Sequence, residues 1–179
     1  MFDPMTSPCE LDSRIDAFLR RWAWVSHANM EPFAEAVAAW LEITSPPRCA
    51  RSLMEGLGFH IVRTHLPSGT LALWTCEDSR YTVRLSPFLS RAGANFTLWH
   101  EWMDILMARP AFPTPVSPIA AERLADRFAA YITMPRGQVV LEAERLRGCG
   151  DKSAVLAARF GVSRLAMRRR LLELRRDVA

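Results

Sequence analysis

Residues 95–104 read NFTLWHEWMD, one residue short of the HExxH pattern in which two histidines on one helical face hold a metal ion and the glutamate polarises its water. Residues four apart on a helix lie about one turn apart on the same side, so the pair facing a common ion here is His100 and Asp104. Glu101 occupies the water-activating position. An aspartate oxygen can bind zinc in place of the second imidazole, but its side chain is shorter and it adds negative charge beside Glu101. A site of this kind is harder and richer in oxygen, which lowers the preference for Zn²⁺ and admits Mn²⁺ or another hard ion. More ligand charge also leaves a bound water less acidified.

A zinc site of the glutamate-ligand type takes its third ligand from a later helix, commonly in an ExxxD pattern whose aspartate orients the first histidine. Residues 122–126, ERLAD, supply that pattern, with Glu122 as the candidate ligand and Asp126 as the partner of the His100 ring. Glu122 and Asp126 are like charges four apart, a mildly destabilising pair that invites a cation or a histidine between them. Arg123 and Arg127 stand beside them, and the bland reading is a solvated charged face.

The stretches GANFTLWHEWMD and AAERLADRFAAYITMP resemble the ImmA/IrrE family of metallopeptidases, whose members typically read RFTLAHELGH and later ExEANxFAAELLMP. Residues 154–174, AVLAARFGVSRLAMRRRLLEL, are similar to the family's C-terminal LAxxFxVSxxALxxRLxxL segment, and the element order agrees over roughly residues 48 to 175. The resemblance implies a zincin-like α+β domain, a Zn²⁺ cofactor, and cleavage of a cytosolic helix-turn-helix repressor or other regulatory protein. Within it, His100, Asp104 and Glu122 are the implied metal ligands, Glu101 the catalytic base and Asp126 the support of the imidazole. The departures from the pattern are Asp104 at a ligand position and the bulky Trp102-Met103 where the family has Leu-Gly. They leave a second reading open: a pseudo-protease without tightly held metal that binds a regulator rather than cutting it.

Half of the 179 residues are hydrophobic and 23% are charged, a composition that excludes disordered and fibrous classes and provides for a real core. No apolar run nears the ~20 residues that span a bilayer, and MFDPMTSPCELD lacks the basic-then-apolar order of a signal peptide, so a cytoplasmic protein without a membrane partner is expected. The four cysteines, 9, 49, 76 and 149, show no CxxC pairing, and small buried hydrophobes are their expected role.

Hydrophobic periodicity predicts helices at about 13–25, with Asp12 or Ser13 as cap, at about 31–42, and from Pro47 to Gly56–Gly58. From Phe59 the period changes, and HIVRTHL, TLALWTC and RYTVRLS read as three short antiparallel strands. RYTVRLS, just before the His100 helix, is the expected edge to which an extended substrate adds. His27, His60 and His65 fit no ligand spacing and read as structural or surface residues. A helix over about 92–107, one capped by Ser117-Pro118 and ending at Met134-Pro135, and one over about 136–146 follow.

The tail fits a helix-turn-helix-like pair, with Gly161 at the turn and Ser163 as cap. Six arginines between 164 and 176 stand against Glu173, and Arg164, Arg168 and Arg169 are the candidate contacts for nucleic acid or for an acidic protein partner. A packing unit is the favoured reading of this pair. The expected division is an N-terminal segment and helix over 1–30, a zincin-like domain over 31–147, and the C-terminal pair over 148–179, packed on the same domain.

Overall fold

The computed structural model describes residues 8–78, 80–148 and 150–176. Helix α1 (Pro8–Leu19) buries Leu11, Ile15, Phe18 and Leu19 in the main core, where Phe18 meets Phe33 and Trp40 of α2 (Met30–Trp40), and α2 buries Met30, Phe33, Ala34, Val37 and Ala38 in the same core. The helical spacing of these apolar residues is what the sequence predicts. The start is not: α1 begins at Pro8, so Asp12 and Ser13 lie inside the helix and cap nothing. Asp12 instead accepts a 2.6 Å hydrogen bond from the Tyr81 hydroxyl and pairs with Arg109 at 2.8 Å. Helix α3 (Ala50–Gly56) starts three residues after Pro47, which lies in a cis Pro46-Pro47 peptide rather than in the first turn.

Strands β1 (His60–Arg63), β2 (Ala72–Glu77) and β3 (Arg80–Leu85) form one sheet in the order β1-β3-β2. The β2–β3 hairpin is antiparallel, with Glu77 opposite Arg80. β1 pairs parallel to β3, Ile61 opposite Val83, so the sheet is mixed rather than antiparallel. The long 64–71 connection lets the chain cross before β2, which a reading from strand spacing alone misses. β3 is therefore the central strand and cannot be the edge expected of it; its buried Tyr81, Val83 and Leu85 face the core.

Helix α4 (Arg91–Met107) crosses the sheet and packs along α5 (Pro118–Thr133). Both are capped, α4 by Ser90 Oγ accepting from Gly93 N and α5, as expected, by Ser117 Oγ accepting from Ala120 N. Trp99, Trp102 and Met103 are buried, and Trp99 Nε1 donates to the Arg48 carbonyl at 3.0 Å. The bulk of Trp102-Met103 thus fills the core, where Trp102 packs on Phe59.

Buried side chains from Leu11 to Ile132 make one apolar cluster, and those from Met134 to Leu174 make a second. The second joins α6 (Arg136–Arg145), α7 (Lys152–Phe160) and α8 (Arg164–Arg176). Gly161 ends α7 at φ +66°, and a β-carbon there would lie 3.2 Å from Pro47 Cβ. Ser163 Oγ accepts from Ala166 N, the expected cap of α8. None of the described helices is long and apolar enough to cross a membrane. Cys9, Cys49 and Cys76 are exposed thiols, contrary to the expected burial, because each stands at a helix end or on an edge strand; Cys149 lies outside the described residues.

Candidate metal centre

The core-facing side of α4 is mostly apolar, with Thr97 and Glu101 the buried polar residues on it, and His100 and Asp104 emerge where α4 and α5 run alongside one another. The geometry then assembles around the imidazole. His100 Nδ1 lies 3.0 Å from Asp126 Oδ1, while Nε2 lies 3.5 Å from both Asp104 Oδ2 and Glu122 Oε2. With Nδ1–H donating to Asp126, Nε2 is left as the lone-pair nitrogen, turned toward two carboxylates. The His100 side chain is 15% exposed and Asp104 29%, whereas Glu122 is 73% exposed.

Two ligand atoms each ~2.1 Å from a tetrahedral ion are about 3.4 Å apart, so both Nε2-to-carboxylate distances suit donors to one cation. Among the described residues no group of three His, Cys, Asp or Glu side chains is placed to hold a metal ion. The fit is therefore two donor pairs that share one imidazole, Asp104 half-buried and Glu122 exposed. The donor set, one nitrogen and carboxylate oxygens, suits zinc or a harder divalent ion.

Glu101 is 8% exposed and makes no hydrogen bond or ion pair to a described residue. Burial, then the charge on Asp104, pushes its carboxyl up to about 7. Asp104 is raised as well, first by burial and further by Glu122 and Asp126, against the opposing pull of His100. Neither neighbouring arginine relieves this charge. Arg127 Nε donates to the Tyr131 hydroxyl at 2.9 Å and its guanidinium leans toward Glu173, and no ion pair joins Arg123 to Glu122 or Asp126 among the described residues. Three carboxylates thus share one imidazole, and the buried Glu101 lies within their field. His27 lies beside Arg127 and His65 against Phe88, each occupied outside the site, and His60 is an exposed residue of β1.

The tail candidates are placed differently. Arg164 and Arg168 both turn back onto Asp151, the cap of α7, and Arg169 is exposed. Arg170, counted among the basic patch from sequence, is instead buried: it donates to the Met134 carbonyl at 3.0 Å, pairs with Glu31 and Glu173, and lies 4.4 Å over the Tyr131 ring. Only its place on the inward side of an amphipathic helix, with Met167 and Leu174, hinted at this.

The sequence profile of the Peptidase M78 family, described as the IrrE N-terminal-like domain, matches residues 54–172. Among solved structures, a Mycobacterium tuberculosis transcriptional regulator superposes with a TM-score of 0.57 at 18% identity. The match covers 89% of this chain and 51% of that one, so the chain spans about half the length of that regulator. A search of the curated proteins found no match.

Proposed function

Because the chain belongs to the Peptidase M78 family of IrrE N-terminal-like domains, we propose that it is a regulatory peptidase that cleaves a cytosolic repressor or comparable regulatory protein. The observation that carries this reading is the imidazole of His100, oriented by Asp126 at one nitrogen and facing Asp104 and Glu122 at the other. His100, Asp104 and Glu122 would hold a divalent cation, Zn²⁺ or a harder ion. When bound, it supplies Lewis acidity toward water and toward the scissile carbonyl.

The chain's own residues do the rest. Asp126 fixes the tautomer that presents Nε2, a role whose loss typically weakens metal affinity by roughly ten- to a hundredfold. Glu101, with its carboxyl near 7, is matched to taking a proton from water at neutral pH and returning it to the leaving amine. An extended substrate would add to β2, the edge strand that packs against α4, rather than to β3.

The second reading, binding of a regulator without cleavage, is favoured by the aspartate at position 104 and by the unclosed donor set. Metal content by mass spectrometry on tag-free protein separates the two. About one ion per chain in the parent, lost in Glu122→Ala, supports the peptidase. A parent that is empty, and gains zinc only as Asp104→His, sinks it and supports the binding protein. With metal present, loss of repressor cleavage in Glu101→Gln at unchanged metal content assigns that residue as the base.

A further inference from the structure

A cavity of about 690 Å³ opens between α3, the first turns of α4 and the end of α7, and His100 is not part of its lining. Its polar lining comes from Cys49, Arg51, Ser52, Arg63, Arg91 and Asn95, and no carboxylate lines it. The three arginines come from three different elements, so no run of basic residues in the sequence announces them.

Their partners show how much of this charge is left over. Arg51 pairs with Glu55 at 2.8 Å across one helical turn. Arg63 spends one nitrogen, Nη1, on the backbone carbonyls of Ser86, Pro87 and Leu89, and has no ion pair among the described residues. Arg91, the first residue of α4, has neither an ion pair nor a side-chain hydrogen bond among the described residues. Asn95, by contrast, is fully used, accepting from Ala50 N and donating to the Arg48 carbonyl. Two guanidinium groups without a counter-charge thus face a concavity of the size that holds a small molecule. A guanidinium presents a planar fork of donors matched to the oxygens of phosphate or carboxylate.

The thiol on the same wall reports the field. Burial alone would raise Cys49, yet hydrogen bonds from Ser52 and Arg51 and the charge of Arg91 outweigh it and hold the thiol below its ordinary value.

We propose that this cavity is a binding site for a small anionic metabolite, gripped through a phosphate or carboxylate group by Arg63 and Arg91. Its floor is α4, which carries His100 farther along, and its far wall is α7. An occupant would therefore bear on the joint between the two apolar clusters and on the first turns of the helix that carries the metal site. The inference stands independently of the peptidase reading, since it draws on none of the same side chains.

The test uses the full chain and the thiol as reporter. Alkylation of Cys49 by iodoacetamide, a neutral reagent, is followed by peptide mass spectrometry against Cys9 and Cys76 as internal controls. Parallel titrations use pyrophosphate, citrate, sodium chloride of matched ionic strength, and a short DNA duplex. Saturable protection of Cys49 by pyrophosphate or citrate but not by chloride, weakened roughly ten- to a hundredfold in Arg91→Gln, is the expected result, since a hydrogen bond to a charged group carries that much. Whichever anion saturates first tells phosphate from carboxylate. Protection that matches chloride, that survives unchanged in Arg91→Gln, or that appears only with the duplex overturns the proposal. Arg91 has no partner to lose, so its variant should fold; an unchanged melting temperature without anion checks this, and Arg51→Gln gives a second variant on the same wall.

Discussion

The α4–α5 face and the α6–α8 tail are both crowded with charge, but they settle it in opposite ways. In the tail the buried cation is met and two exposed ones are paired: Arg170 has Glu31, Glu173, a carbonyl and an aromatic ring, and Arg164 and Arg168 share Asp151. Around His100, three carboxylates converge beside the buried Glu101 with no arginine ion-paired to any of them among the described residues, and Glu101 and Asp104 are raised by burial and then by neighbouring carboxylates. A charge cluster that closes on itself stabilises a fold, whereas one that stays open asks for something the chain does not supply. The count of charged residues in each stretch would have suggested the reverse, since the arginine-rich tail looks the more available for a partner.

The comparison breaks most sharply at Arg170. Arg170→Ala should cost about 3 kcal/mol, because it strands two partly buried glutamates and a carbonyl and removes a ring contact. That corresponds to a fall in Tm of roughly 6–12 °C for a chain of this size, measurable by calorimetry. A fall of a degree or two would mean that the tail is less closed than its contacts suggest.

Glu101→Gln probes the open side. In chelator-treated protein, folded Glu101 keeps a proton up to about 7, whereas the unfolded chain releases it near the ordinary carboxyl value of 4.5. Its contribution is thus complete below the lower value and is lost as pH rises through the higher. The substitution should flatten that decline and stabilise the protein at pH 8 by about 2 kcal/mol, read from urea melts at pH 5 and 8. An identical pH slope in parent and variant would mean that the carboxylate is solvated after all.

The smallest effect belongs to Asp151, whose carboxyl is held well below the usual carboxylate range by Ser153 and then by Arg164 and Arg168. Its sign is opposite: stability is present above the unfolded value and lost as pH falls into the acid range. Asp151→Ala should lower Tm by about 3 °C or less at pH 7, as expected for an exposed cap and surface pairs, with the difference from the parent shrinking below pH 3.

Local rules read much of this from sequence. Ser117, Ser163 and the helix that bears HEWMD stand within a residue or two of where periodicity and capping put them, while the Ser90 cap of that helix adds to what those rules predict. The approach of Glu122 and Asp126 to His100 was legible because two short patterns occur in the right order. What escaped was long-range. The parallel β1–β3 pairing depends on a loop crossing that no strand pattern encodes, and Asp12 was mistaken for a cap because its partners, Tyr81 and Arg109, lie far along the chain. Arg63 and Arg91 meet across a cavity for the same reason.

Gly161 carries a last consequence, for how this chain can drift over generations. At Gly148, φ is also positive, but nothing lies within 4 Å of an added β-carbon, so an asparagine that tolerates the left-handed region is an open exchange. Gly161 is constrained twice, by its backbone angle and by Pro47 at 3.2 Å, and relaxing either one leaves the other. Two positions more than a hundred residues apart in sequence are thereby coupled, since a larger residue at 161 is strained by its backbone angle and also presses on Pro47.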